Sequence, residues 1–150
     1  MCMPAMAQND VKNEADTLQL PAEGSVAPQF EALQKGVWNV IDFWATWCPD
    51  CRREIPTVKA MNQKYGTKAH FVGVSMDTDK QKLETFCQQN GIGWQQYSEY
   101  KKWKDTQISK DYNITWLPTM FLVNPDGKIA YRTVLAEEMQ KKLEEIFGAE

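Results

Sequence analysis

Residues 43–56 read FWATWCPDCRREIP, two cysteines separated by two residues, with Trp47 ahead of the first and Pro49-Asp50 between them. The approach to Cys48 is apolar, with Val40-Ile41 and Phe43-Trp44 around a single acid, Asp42. That run predicts a strand over residues 37–44 buried on both faces. Beyond Cys48 the apolar period changes. Ile55, Val58, Met61 and Tyr65 fall three or four apart, one face of a helix. Pro49 suits the first helical turn, where an N–H would have no partner. Pro56 falls inside the helix and predicts a kink, and Gly66 is placed to end it. A strand feeding a helix at Cys48 puts the pair at the carboxyl end of a strand, where open α/β sheets place their sites.

Outward from that junction, residues 70–75 (HFVGVS) form a second apolar strand. Residues 79–90 predict a helix stopped by Gly91, with Leu83, Phe86 and Cys87 facing inward. Residues 94–112 mix lysines and aromatics and suggest one short strand and one helix. A strand over 119–123, the turn Asn124-Pro125-Asp126-Gly127 and a strand over 128–135 follow. A closing helix carries Met139, Leu143, Ile146 and Phe147 on one face. This order predicts an α/β fold of three layers, α/β/α, around a central mixed sheet. Residues 1–23 are polar and expected to be mobile, ahead of one domain over 24–150.

A chain of 150 residues with 43% apolar and 25% charged content suits one soluble globular domain. Net charge is −3 and no dense Lys/Arg cluster interleaves with aromatics, which argues against nucleic acid and anionic membrane surfaces. No apolar run approaches the ~18 residues of a membrane span. The start, MCMPAMAQND, has neither a basic n-region nor an apolar h-region. Ala5-Met6-Ala7 before Gln8 nonetheless has the A-x-A form of a cleavage site. It is either the tail of an export signal or a chance triplet. A lipid anchor on Cys2 is the other membrane attachment the sequence offers.

The cysteine pair admits three chemistries. A zinc site needs two further ligands, and Cys2, Cys87 and His70 lack the paired spacing of a zinc ribbon. A purely structural disulfide is disfavoured because so short a loop constrains the unfolded chain little. Electron transfer fits best. The helix start favours an anion, so Cys48 becomes a ready thiolate nucleophile, and Cys51, one turn on, resolves the mixed disulfide. A Cys-His hydrolase has little support, since His70 is the only histidine.

Asp42 six residues before Cys48, Trp44 and Trp47 beside it, Pro56 after the pair, and Leu117-Pro118-Thr119 ahead of a strand resemble the thioredoxin superfamily. The run PTMFLVNPDGKI, residues 118–129, looks like that family's strand-turn-strand. The resemblance extends from about residue 37 to the end of the chain. Within the superfamily the chain is most similar to the TlpA/ResA-like thiol-disulfide oxidoreductases. The long stretch between HFVGVS and Pro118 leaves room for that branch's strand-helix insert, Glu54 matches an acid that ResA-like members carry, and Ala27-Pro28-Gln29-Phe30 looks like their lead-in. The resemblance implies a thioredoxin-like fold with Pro118 in a cis-proline loop against the cysteines. Two departures stand out: no proline directly precedes Cys51, and Gly73 or its neighbours stand where thioredoxin keeps a lysine for its buried acid.

The site residues are then Cys48, Cys51, Pro118, Asp42 and Glu54, with Pro49 and Asp50 tuning the pair and Trp47, Trp116 and Leu117 forming a substrate groove. Asp42, once buried, would have a raised pKa and could take the proton of Cys51. Glu54 is either a redox-tuning acid or a first-turn acid favourable to the helix dipole. Asp50 beside the site disfavours the thiolate and so favours a reductant, nearer about −270 mV than about −120 mV. Arg52 and Arg53 are read as solvated, Trp44, Cys87 and His70 as structural. No metal is implied, and no cofactor beyond the redox-active Cys48/Cys51 disulfide. The expected partners are a disulfide-containing protein substrate and an upstream dithiol donor, in an extracytoplasmic setting, with cytochrome c maturation as the role the resemblance suggests. A peroxiredoxin-like peroxidase is the first alternative, but its Pro-x-x-x-Thr-x-x-Cys pattern fails at Thr46. A redox-inert binding module is the other.

Overall fold

A computed structural model describes residues 14–148. Cys2 and the Ala5-Met6-Ala7 triplet lie outside them. The elements are a 3-10 turn (Glu14–Thr17), β1 (Trp38–Trp44), α1 (Pro49–Tyr65), β2 (Ala69–Ser75), α2 (Lys80–Gln89), β3 (Gln95–Tyr97), a second 3-10 turn (Trp103–Asp105), α3 (Gln107–Asp111), β4 (Thr119–Val123), β5 (Ile129–Thr133) and α4 (Ala136–Phe147). They build one five-stranded sheet in the order β3-β2-β1-β4-β5. β1 is parallel to β2 and antiparallel to β4, so the sheet is mixed.

β1 is central because its side chains are apolar on both faces. Val40 packs with Val58, Met61 and Tyr65 of α1 and with Met139 and Leu143 of α4. Ile41 and Phe43 turn the other way, into a core with Val72, Val74, Leu83 and Phe121. Burying each such side chain is worth roughly 1.5–3 kcal/mol, so the alternation of β1 fixes which helices lie on which face. α1 runs unbroken from Pro49 to Tyr65, with Pro56 on its exposed side. Gly66 ends it in a right-handed conformation (φ −63°), its N–H bonding Asn62 O at 2.8 Å. The left-handed conformation that needs glycine occurs instead at Gly127 (φ 83°), in the turn where Asn124 Oδ1 accepts from Asp126 N and Lys128 N.

The insert yields β3 as an edge strand parallel to β2. Glu99 then accepts from Gln107 N and Ile108 N at 2.9 and 2.8 Å and starts α3. The Trp103 indole donates to Ile114 O at 3.1 Å. These bonds carry the chain to Trp116-Leu117-Pro118 beside the cysteines.

Two expectations change. The strand expected over 128–135 ends at Thr133, because Leu135 is the N-cap residue of α4. Residues 14–23, expected to be mobile, are packed. Ala15 and Leu20 are buried, and Arg132 Nη1 donates to Leu20 O and Pro21 O at 2.8 and 3.1 Å. This strap is fixed by the burial of Ala15 and Leu20 and by side chains that donate to its backbone carbonyls, without a periodic apolar pattern.

Candidate active site

The sheet delivers Cys48 as the N-cap of α1, in extended conformation, so the first free N–H groups of the helix point at its side chain. Cys51 N donates to Cys48 Sγ at 3.2 Å. The two cysteines are disulfide-bonded, with Cα atoms 5.2 Å apart. The Leu117-Pro118 peptide is cis, and Cys48 Sγ lies 3.9 Å from Leu117 O. Both cysteines expose little surface, 6% and 4%. Access distinguishes them. Cys48 lines a groove of about 380 Å³ with Trp47, Trp103, Trp116 and Leu117, and Cys51 does not. Trp47 and Trp116 are half exposed, and the rings of Trp47 and Trp103 sit 6.3 Å apart.

The loop entering α1 is held by a residue that the sequence reading missed. Asp77 is buried and accepts from Thr46 N at 3.1 Å, Thr46 Oγ1 at 2.5 Å and Ser75 Oγ at 2.5 Å. An acid two residues beyond an apolar strand, at the cysteine end of the sheet, was the available signal.

Asp42 faces the interior from β1. Part of the residue remains accessible, but its Oδ1 is sealed from solvent and has no hydrogen-bond partner. Burial, and then the charge of Glu54, pushes its carboxyl up to about 7. Its register partner on β2 is Gly73. A Cβ there would lie 2.8 Å from Trp44 Nε1 and 2.5 Å from Gln96 Oε1, which are joined by a 2.9 Å hydrogen bond. The Trp44–Gln96 bond thus fills the space a basic side chain would need, and Asp42 has no countercharge from β2.

Glu54, one turn beyond Cys51, reaches α4 instead of the disulfide. Its Oε1 accepts from Ala136 N at 3.0 Å, supplying the cap that Leu135 cannot. Burial raises its pKa, and this hydrogen bond opposes the rise. Asp50 is half exposed and ion-paired with Arg53, so Arg53 is not simply solvated and the carboxylate's field at Cys48 is partly cancelled.

The thioredoxin-like family model matches residues 36–129. The chain belongs to the thioredoxin-like family. Among its relatives, the thiol-disulfide oxidoreductase ResA of Bacillus cereus is 30% identical over 73% of this chain and 61% of its own length. The thioredoxin-like protein YneN of Bacillus subtilis is 28% identical over 81% and 79%. A solved thiol-disulfide oxidoreductase from Bacteroides fragilis superposes with TM-score 0.68 at 28% identity, over 75% of this chain and 83% of that one. The chain spans 61–65% of the length of the ResA relatives it matches first.

Among the described residues, the remaining cysteine, Cys87, and the histidine of this thioredoxin-like chain do not line the cysteine groove. Burial first, and then Asp77, pushes the Cys87 thiol up to about 11, as suits an inert core thiol. His70 Nε2 bonds Ala32 O at 3.1 Å. Among the described residues no group of three or more His, Cys, Asp or Glu is placed to hold a metal ion. None of their helices is long and apolar enough to cross a membrane.

Proposed function

We propose that the chain is a protein thiol-disulfide oxidoreductase working as a reductase. The observation that carries this reading is access: Cys48 opens on the tryptophan-lined groove and Cys51 stands behind it. In the reduced protein the Cys48 thiolate, stabilised by the Cys51 N–H and the helix start, attacks one sulfur of a substrate disulfide. A Cys48–substrate disulfide forms, and the other substrate sulfur leaves as a thiolate. Cys51 then gives its proton to a base and attacks Cys48 Sγ, which releases the second substrate thiolate and regenerates the Cys48–Cys51 disulfide. Two electrons have moved from the dithiol to the substrate, and a dithiol donor must restore them. Asp42, with a carboxyl titrating at about 7, is the base assigned to Cys51. The pair carries the electrons itself, so the reading requires no further cofactor.

Insulin reduction by the reduced protein tests this. Turnover should vanish in Cys48→Ser, while Cys51→Ser should accumulate mixed disulfides. Zinc at one per chain with no turnover would sink it in favour of a binding module. The ResA-like resemblance extends the proposal to an extracytoplasmic setting and to apocytochrome c cysteines as substrate. Substrates trapped by Cys51→Ser in the native host, and the genomic sequence upstream of Met1, check those two extensions.

A further inference from the structure

The cysteine groove is the middle of three hollows that share walls. Trp103 and Thr115 join it to a hollow of about 640 Å³ that also contains Lys102, Lys104 and the single acid Asp105, which leaves it net basic. Trp116 and Asp50 join it on the other side to a hollow of about 410 Å³ that contains Glu14, Glu54 and Glu137. The ends are opposite in charge. Lys102 and Lys104 are exposed, and among the described residues neither is in an ion pair. At the far end Arg53 is engaged by Asp50, which leaves the exposed Glu14 and Glu137 with no basic residue in the hollow to offset them.

We infer that the groove takes an extended polypeptide segment whose charge reverses across its reacting cysteine, with acidic residues lying toward Lys102 and Lys104 and basic residues toward Glu14 and Glu137. The inference rests on the reductase reading and adds the class of substrate to it. The three tryptophans supply sequence-tolerant anchoring near Cys48. Charges at the two ends select partner and orientation, because like charges opposed across an interface are penalised. A uniformly charged segment satisfies one end and is repelled by the other.

The test uses the full chain carrying Cys51→Ser and two peptides of one composition. The first has two aspartates before its cysteine and two lysines after it, and the second has the reverse order. Each cysteine is a mixed disulfide with thionitrobenzoate, and one peptide carries a heavy isotope. The Cys48 thiolate attacks the peptide sulfur, the Cys48–peptide disulfide forms, and thionitrobenzoate leaves with the electron pair. Mass spectrometry reads the ratio of captured peptides in competition.

One order should be captured about 5-fold over the other at low salt, the size expected of a few exposed charge pairs. The ratio should fall toward 1 at about 1 M salt, where the Debye length is ~3 Å. Swapping both ends, with Lys102→Glu and Lys104→Glu together with Glu14→Lys and Glu137→Lys, should invert it. Because the readout is a ratio, a loss of folded protein does not move it. Equal capture, a preference unmoved by salt and by the swap, or capture of a second copy of this chain in place of both peptides would overturn the inference and leave the reductase reading standing. Capture of nothing, neither a peptide nor a second copy, would overturn both.

Discussion

Asp42 combines a sealed carboxylate oxygen with a carboxyl raised to about 7, and this has a sign that can be measured. The folded oxidised protein binds this proton more tightly than the unfolded chain, whose carboxyl titrates at 3.8. Stability is therefore unpenalised below about pH 4, falls as pH rises toward 7 and is flat above. Full burial would make that loss worth roughly 4 kcal/mol, and with part of the residue accessible we expect about 3. Asp42→Asn should lack this slope, so denaturation midpoints at pH 4 and pH 8 should diverge less in the variant. Asp50 is the opposite case. Its pairing with Arg53 limits what its charge does at Cys48, so Asp50→His should raise the redox potential by only about 30 mV, one tenfold step in exchange. Arg53→Ala should lower the potential, because Asp50's charge is then no longer offset at Cys48; equilibration against glutathione reads both. The sequence made Asp42 legible as an acid inside an apolar strand. It also placed Gly73 or its neighbours where a lysine would stand opposite, but did not show the reason: a hydrogen bond between Trp44 and Gln96, far apart in the chain, fills the space.

Elements around the site are tied by acids whose partners are backbone groups. Glu54→Ala should cost about 1–2 kcal/mol in chemical denaturation, because α4 loses the acceptor on Ala136 N and has no other side-chain cap. Glu54→Gln keeps an oxygen there and should cost less. Asp77→Ala should cost more, about 3 kcal/mol, since it strips partners from Thr46 and Ser75 together. It should also slow insulin reduction, because the loop presenting Trp47 and Cys48 loses its brace. Strands and helices were legible from their apolar periods, as at β1 and α1. The capping of α4 was not, since an acid near the start of α1 reads equally well as a complement to that helix's own dipole. Asp50 is the acid of its first turn, and Glu54 lies a turn further on.

The layer order was readable from the alternation of strand and helix, whereas the strap over residues 14–28 was not. Its polar composition hides its anchors: Arg132 from β5, the Tyr112 hydroxyl on Pro28 O at 2.6 Å and Asn113 Nδ2 on Gln19 O at 2.9 Å. Removing residues 1–23 takes the buried Ala15 and Leu20 out of the core and should lower stability by about 2 kcal/mol, or roughly 4–8 °C in the thermal midpoint. The same strap meets β5 where that strand begins. Gly24 N donates to Ile129 O, Ile129 N to Ser25 O and Ala27 N to Gly127 O, at 2.8–2.9 Å. At the far side of the sheet β3 has only three residues. A neighbouring chain seeking a free ladder of N–H and C=O groups thus meets one margin already taken at its start and another too short to template a strand. That leaves the molecule guarded against edge-to-edge aggregation while Cys48 stays in the wall of an open groove.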